Sequence, residues 1–171
     1  MYSKNRWLRH LYSALSLSLA VIQTPAYGRG LEIGALKVPD GFQLHLLTDA
    51  VPGARSLAVD EEGTVYVGSL DEGKVYAVPT KDGQATTVRT VLKGLDHPNG
   101  VAVLDHALYI AEVSRIIKVS LPIPKDKGGV HPEVIYSDLP TDPHHGWRYL
   151  RASPDGALLI AIGQPCNICN L

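Results

Sequence analysis

The chain has 171 residues, with 16 Lys and Arg against 17 Asp and Glu for a net charge of −1. The basic residues are scattered, with no stripe to track a nucleic-acid backbone and no polybasic patch for an anionic membrane, so neither partner is expected. The length allows one ordinary domain.

The amino end has the three parts of an export signal. Lys4, Arg6 and Arg9 form a charged head, Leu11 to Ile22 an apolar run rich in Leu, Ala and Ser, and Thr24-Pro25-Ala26-Tyr27-Gly28 offers the small residues that a signal peptidase requires. Cleavage is expected after Gly28, with cleavage after Ala26 as the alternative. The apolar run is a dozen residues long, whereas a spanning helix needs about 20. Residues 1–28 are therefore read as a removable signal, and residues 29–171 as a periplasmic or secreted protein without stable membrane insertion.

From there the hydrophobic pattern has period two, and no long amphipathic helix is indicated. Phe42 to Leu47 alternates and predicts a strand. Ser56 to Val59 and Thr64 to Val67 flank the turn Asp60-Glu61-Glu62-Gly63, and Lys74 to Val78 follows Asp71-Glu72-Gly73. The acidic turns, like Lys125-Asp126-Lys127, read as solvated.

This order then recurs. Arg55 to Val59, Asn99 to Val103 and Arg148 to Ala152 occupy one slot; Thr64 to Gly68, Ala107 to Ala111 and Ala157 to Ala161 occupy the next. The spacing is 44 residues from Leu57 to Val101 and 49 from Val101 to Leu150, within the ~40–50 of four-stranded propeller blades. The expected fold is an all-β β-propeller with about three blades. Because such rings close with roughly four to eight, residues 29–171 read as an incomplete amino-terminal half. A half-ring alone would expose sheet faces and edges.

In a propeller the innermost strands start beside the central channel, so the loops before Leu57, Val101 and Leu150 open at one mouth. They carry Arg55, His97 with Asn99, and His144 with His145 and Arg148 toward one place, and convergent polar groups at a channel mouth are the default site hypothesis. Two adjacent imidazoles ahead of an inner strand are the strongest signal among them. Asn99 before Gly100 also suits a tight turn, Arg55 also suits an ion pair or a cap, and Trp147 reads as core or channel wall. Cys166 and Cys169 form a CxxC. In an oxidising compartment a small disulfide is favoured over a redox pair or half of a metal site, and Asn170 in place of His argues against haem attachment.

Taken in order, Pro39-Asp40-Gly41-Phe42, Pro98-Asn99-Gly100-Val101-Ala102, Ala111-Glu112-Val113 with Arg115-Ile116, His144-His145-Gly146-Trp147-Arg148 and Gly163-Gln164-Pro165-Cys166-Asn167-Ile168-Cys169 resemble the amino-terminal part of the soluble sugar dehydrogenases that depend on pyrroloquinoline quinone (PQQ). This is the glucose and sorbosone dehydrogenase family, and the sorbosone branch is the nearer. The resemblance implies a six-bladed propeller in the full-length protein. It also implies an exported quinoprotein oxidising a sugar hydroxyl or sugar aldehyde by hydride transfer to PQQ, with calcium holding the quinone and an external electron acceptor downstream. In the glucose enzymes the histidine nine residues before a Pro-Asp turn is the base; His145 stands nine residues before Pro154-Asp155, so the resemblance makes His145 the catalytic base. It leaves Arg55, Asn99, His144, Arg148 and Gln164 as candidates for substrate or cofactor binding. His144 and Gln164 replace carboxylates of the glucose branch, so the substrate need not be glucose. Most PQQ and calcium ligands are expected in later blades, no metal ligands are assigned within residues 1–171, and these residues by themselves are expected to be inactive.

Two other classes fit the same pattern. A propeller lactone hydrolase of the gluconolactonase or strictosidine-synthase type would hydrolyse without added quinone, and a non-enzymatic binding propeller of the NHL type would turn nothing over.

Overall fold

The computed structural model describes residues 33–124 and 129–164. The expected export signal, Lys125-Asp126-Lys127, Cys166 and Cys169 lie outside them. Residues 33–42 are the described part of a first unit that ends at Phe42, with one turn of 3-10 helix at Ile33–Ala35 and a turn in which the Phe42 amide donates to the Pro39 carbonyl at 3.1 Å.

All of the described strands lie in the unit that begins at Gln43. In the first sheet β1 (Leu57–Val59), β2 (Thr64–Val67), β3 (Lys74–Lys81) and β5 (Arg89–Lys93) pair in that order, and the two-residue β4 (Gln84–Ala85) pairs with the far end of β3. The second sheet is β6 (Gly100–Leu104), β7 (Ala107–Ala111), β8 (Ile116–Ser120) and β9 (Glu133–Tyr136). The third, among the described residues, is the hairpin β10 (Tyr149–Ala152) and β11 (Leu158–Ala161). Every ladder is antiparallel. Among the described residues no helix is long and apolar enough to cross a membrane.

The three sheets repeat one another residue by residue. Leu57 faces Val67, Val101 faces Ile110 and Leu150 faces Ile160, which is the correspondence that the sequence spacing predicts. A bulge between Val75 and Tyr76, where β3 meets β5, recurs between Ile116 and Ile117, where β8 meets β9. Such a bulge bends the outer strand and increases its twist.

Successive sheets pack face to face, with β1 beside β6 and β6 beside β10. Tyr66, Val75 and Ala77 of the first sheet meet Val101, Leu108, Ile110, Ile117 and Val119 of the second in one core. Ala102, Ala111 and Ile116 on the second sheet's other face meet Leu150 of the third. This serial stacking, inner strand against inner strand, is the arrangement of propeller blades, and the all-β propeller expectation holds. Leu57 holds the slot of Val101 but is 63% exposed against 2%, since among the described residues no sheet covers its face.

At the end where the inner strands begin, the sheets approach at backbone distance. A Cβ on Gly68 would lie 2.4 Å from the carbonyl oxygens of Pro98 and Asn99, and one on Gly100 would lie 2.6 Å from that of Arg148. Only glycine fits either place.

The expected strand Phe42 to Leu47 does not form: residues 42–47 join no ladder. Alternation supplies a face, but a strand also needs a hydrogen-bonding neighbour, and none of the described strands lies beside it. The acidic turns are more than solvated. Asp60 accepts the Thr64 amide at 2.7 Å and the Tyr66 hydroxyl at 3.0 Å.

Candidate functional site

The loops that precede β1, β6 and β10 meet at one end of the inner strands, as the repeat predicts. Arg55 donates from Nε to Asn99 Oδ1 at 3.4 Å, and Asn99 donates from Nδ2 to the Arg148 carbonyl at 2.7 Å. One chain of hydrogen bonds thus runs across all three sheets. Asn99 is buried and serves the joint between sheets, whereas Arg55 is exposed. Arg55, Leu57, Asn99, Trp147 and Tyr149 line an open cavity of about 610 Å³.

His97 faces elsewhere. Its ring lies between two carboxylates, with Nε2 3.3 Å from Asp71 and Nδ1 2.8 Å from Asp96. Beneath it the buried Glu112 accepts the Asp96 amide at 2.7 Å and the Arg115 Nε–H. That bond holds the Arg115 guanidinium above its ordinary pKa. This group fixes the loop that presents Asn99.

Arg148 is placed differently from its neighbours. Along Trp147-Arg148-Tyr149-Leu150 the exposures are 44, 1, 50 and 2%, the alternation of a strand buried on one face. The Arg148 side chain therefore goes inward. It donates from Nε to the Val113 carbonyl at 2.9 Å and from a terminal nitrogen to the Pro140 carbonyl at 2.6 Å, and burial pulls its pKa below the ordinary arginine value. Its work is to satisfy buried backbone, while Trp147 and Tyr149 reach the cavity.

His144 and His145 occupy the turn closed by the Gly146 amide donating to the Pro143 carbonyl at 3.0 Å, and Asp142 braces it by accepting the His144 amide at 2.8 Å. His145 adopts φ +54°, a left-handed conformation uncommon for a residue with a Cβ. Its ring stacks on His144 with centroids 4.1 Å apart and meets Trp147 in a T at 6.0 Å. Its Nδ1 lies 2.9 Å from the Gln164 carbonyl oxygen. His144, Arg148 and Gln164 also border a cavity of about 410 Å³ together with Asp142 and Gly163. Arg55, Asn99, His144, His145 and Gln164 are thus gathered at one end of the sheets, in two neighbouring groups on either side of Trp147. Among the described residues no three of His, Cys, Asp and Glu stand together as a metal site.

Among solved structures, a carbohydrate-active enzyme of family AA12 from Trichoderma reesei matches with a TM-score of 0.61 and 22% identity, over 75% of this chain and 34% of that one. The PQQ-bound aldose sugar dehydrogenase of Streptomyces coelicolor matches with a TM-score of 0.49 and 19% identity, over 67% of this chain and 39% of that one. The first of these likenesses establishes a shared fold. An uncharacterized protein of Borreliella burgdorferi is 26% identical over 177 aligned positions, covering 96% of this chain and 45% of that protein. The chain thus spans less than half the length of this relative. No family model matches it.

Proposed function

We propose that the chain is the amino-terminal part of an exported, PQQ-dependent oxidoreductase acting on a sugar hydroxyl or sugar aldehyde, with His145 as general base. The observation that carries this reading is a histidine held at the common mouth of the sheets by a bond to one ring nitrogen only: among the described residues no protein group bonds its Nε2. The ordered motifs of the PQQ sugar dehydrogenases support the reading, and so does the fold shared with a carbohydrate-active enzyme.

A neutral imidazole accepts a proton through the lone pair of its unprotonated ring nitrogen. The substrate hydroxyl gives its proton to Nε2 of His145, and the hydrogen on the same carbon leaves with its electron pair. PQQ, when bound, supplies the two-electron acceptor. The described residues fit part of such a group. Arg55 engages protein only through Nε, leaving the terminal nitrogens of its guanidinium for a carboxylate, and Trp147 offers an indole on the same cavity. They provide no cluster for calcium.

The full-length protein carrying His145→Ala tests the reading by PQQ-dependent dye reduction across a panel of sugars and sugar aldehydes. Loss of a general base lowers turnover by about 10²–10⁴; unchanged turnover removes His145 from the chemistry, and hydrolysis of a lactone without added quinone would favour the hydrolase class.

A further inference from the structure

We infer that the main-chain carbonyl of Gln164 selects the tautomer of His145, and that Gly163 is the positioning residue that lets it do so. The inference rests on the reading of His145 as base, and it says how this chain prepares that base without a carboxylate partner.

The ring nitrogen nearest to Gln164 faces an oxygen that has lone pairs and no hydrogen. At 2.9 Å that contact is attractive only if Nδ1 carries the proton, because two lone pairs at that distance repel. The neutral ring therefore keeps its hydrogen on Nδ1 and its lone pair on Nε2, where a substrate proton can be received. When Nε2 takes that proton the ring becomes a cation, and the Nδ1–H to carbonyl bond becomes charge-assisted and stronger. A fixed carbonyl dipole thus does the orienting work commonly given to an aspartate. It favours the charged ring less than an ion pair would.

The carbonyl can stand there because residue 163 has no side chain. A Cβ on Gly163 would lie 2.6 Å from the His145 carbonyl oxygen and 3.1 Å from the His145 Cβ. Since Gly163 is not among the glycines with positive φ, an alanine there meets no backbone penalty, and its only conflict is with His145. On the ring's other sides, His144 stacks at 4.1 Å and the Trp147 edge meets it at 6.0 Å. The ring cannot swing away from the Gln164 carbonyl without leaving both.

Two-bond nitrogen–proton correlation spectra of the full-length protein labelled with ¹⁵N-histidine read the tautomer directly, with His145→Ala assigning the signal. The expected result is a protonated Nδ1 and an unprotonated Nε2 in the neutral ring; a ring protonated mainly on Nε2 overturns the inference. Gly163→Ala is expected to mix the tautomers and to lower kcat by about a hundredfold at nearly constant KM, the size of effect that a displaced catalytic group produces. A folded Gly163→Ala variant with unchanged tautomer and unchanged kcat overturns the role of Gly163, and if the variant does not fold, the wild-type spectrum decides. Retained turnover in His145→Ala would sink the base assignment while leaving the tautomer result standing.

Discussion

The contact between the first and second sheets and the contact between the second and third are made of different materials. The first is hydrocarbon: Leu108, Ile110, Ile117 and Val75 are sealed against one another with Tyr66 at the margin. The second gathers Ala102, Ala111 and Ile116 of the middle sheet around Leu150 and Leu139. Beside it the joint is completed by Asn99 and Arg148 bonding to main-chain carbonyls. The inner strands converge on both, yet the histidine pair sits on the loop that leads into the second. A site needs polar groups near the axis, and at the contact that adjoins this one side-chain bonds to backbone are added to the apolar packing.

Truncation at the first contact should have the largest effect. Leu108→Ala removes a fully buried side chain and is expected to cost about 2–5 kcal/mol, read as a lower denaturation midpoint, while the turnover of each folded molecule is kept. A fall in turnover that outruns the loss of folded protein would show that the two contacts are not separable.

Replacing Arg148 by Met tests the second contact. Val113 and Pro140 lose the donor to their carbonyls, and an unsatisfied buried group costs about 1–3 kcal/mol. Here stability and turnover should fall together, because the Arg148 backbone also anchors Asn99. A stable, slow variant would move Arg148 out of the frame and into the chemistry.

The smallest effect is expected from Tyr66→Phe, about 1 kcal/mol for one hydrogen bond, with a pH signature. Burial first, then the bond to Asp60, raises the Tyr66 phenol well above its ordinary value of 10.0. A group whose pKa is raised by folding contributes stability that is fully present below its unfolded pKa and is lost as pH rises through the folded value. Wild-type protein should therefore weaken above about pH 10, and the variant should show a flatter alkaline limb. Equal slopes in urea titrations would dismiss the linkage.

The pairing of inner strands was legible because period-two alternation recurs at a fixed spacing, with Asp60-Glu61-Glu62-Gly63 and Pro154-Asp155-Gly156 marking the turns of the first and third hairpins. The outer strands were less so. Glu133–Tyr136 is exposed at every position, and a strand with no buried face writes no alternation. Phe42 to Leu47 shows the converse, a pattern without a partner. At the site, nearness in sequence to the histidines made Arg148 look like a ligand group and left Tyr149 unremarked. The signal that sorts them was present: Arg148 shares parity with Leu150, an inward position, and Trp147 and Tyr149 share the opposite one. The bond from His145 to Gln164 spans 19 residues and joins a side chain to backbone, so no residue type announces it.

Gly68 and Gly100 stand one at each joint between sheets, each admitting a neighbour's backbone where a methyl group would not pass. A methyl in either place would act as a shim driven between two staves, prising them apart at one end. The spacing of the staves at that end rests on a pair of hydrogen atoms.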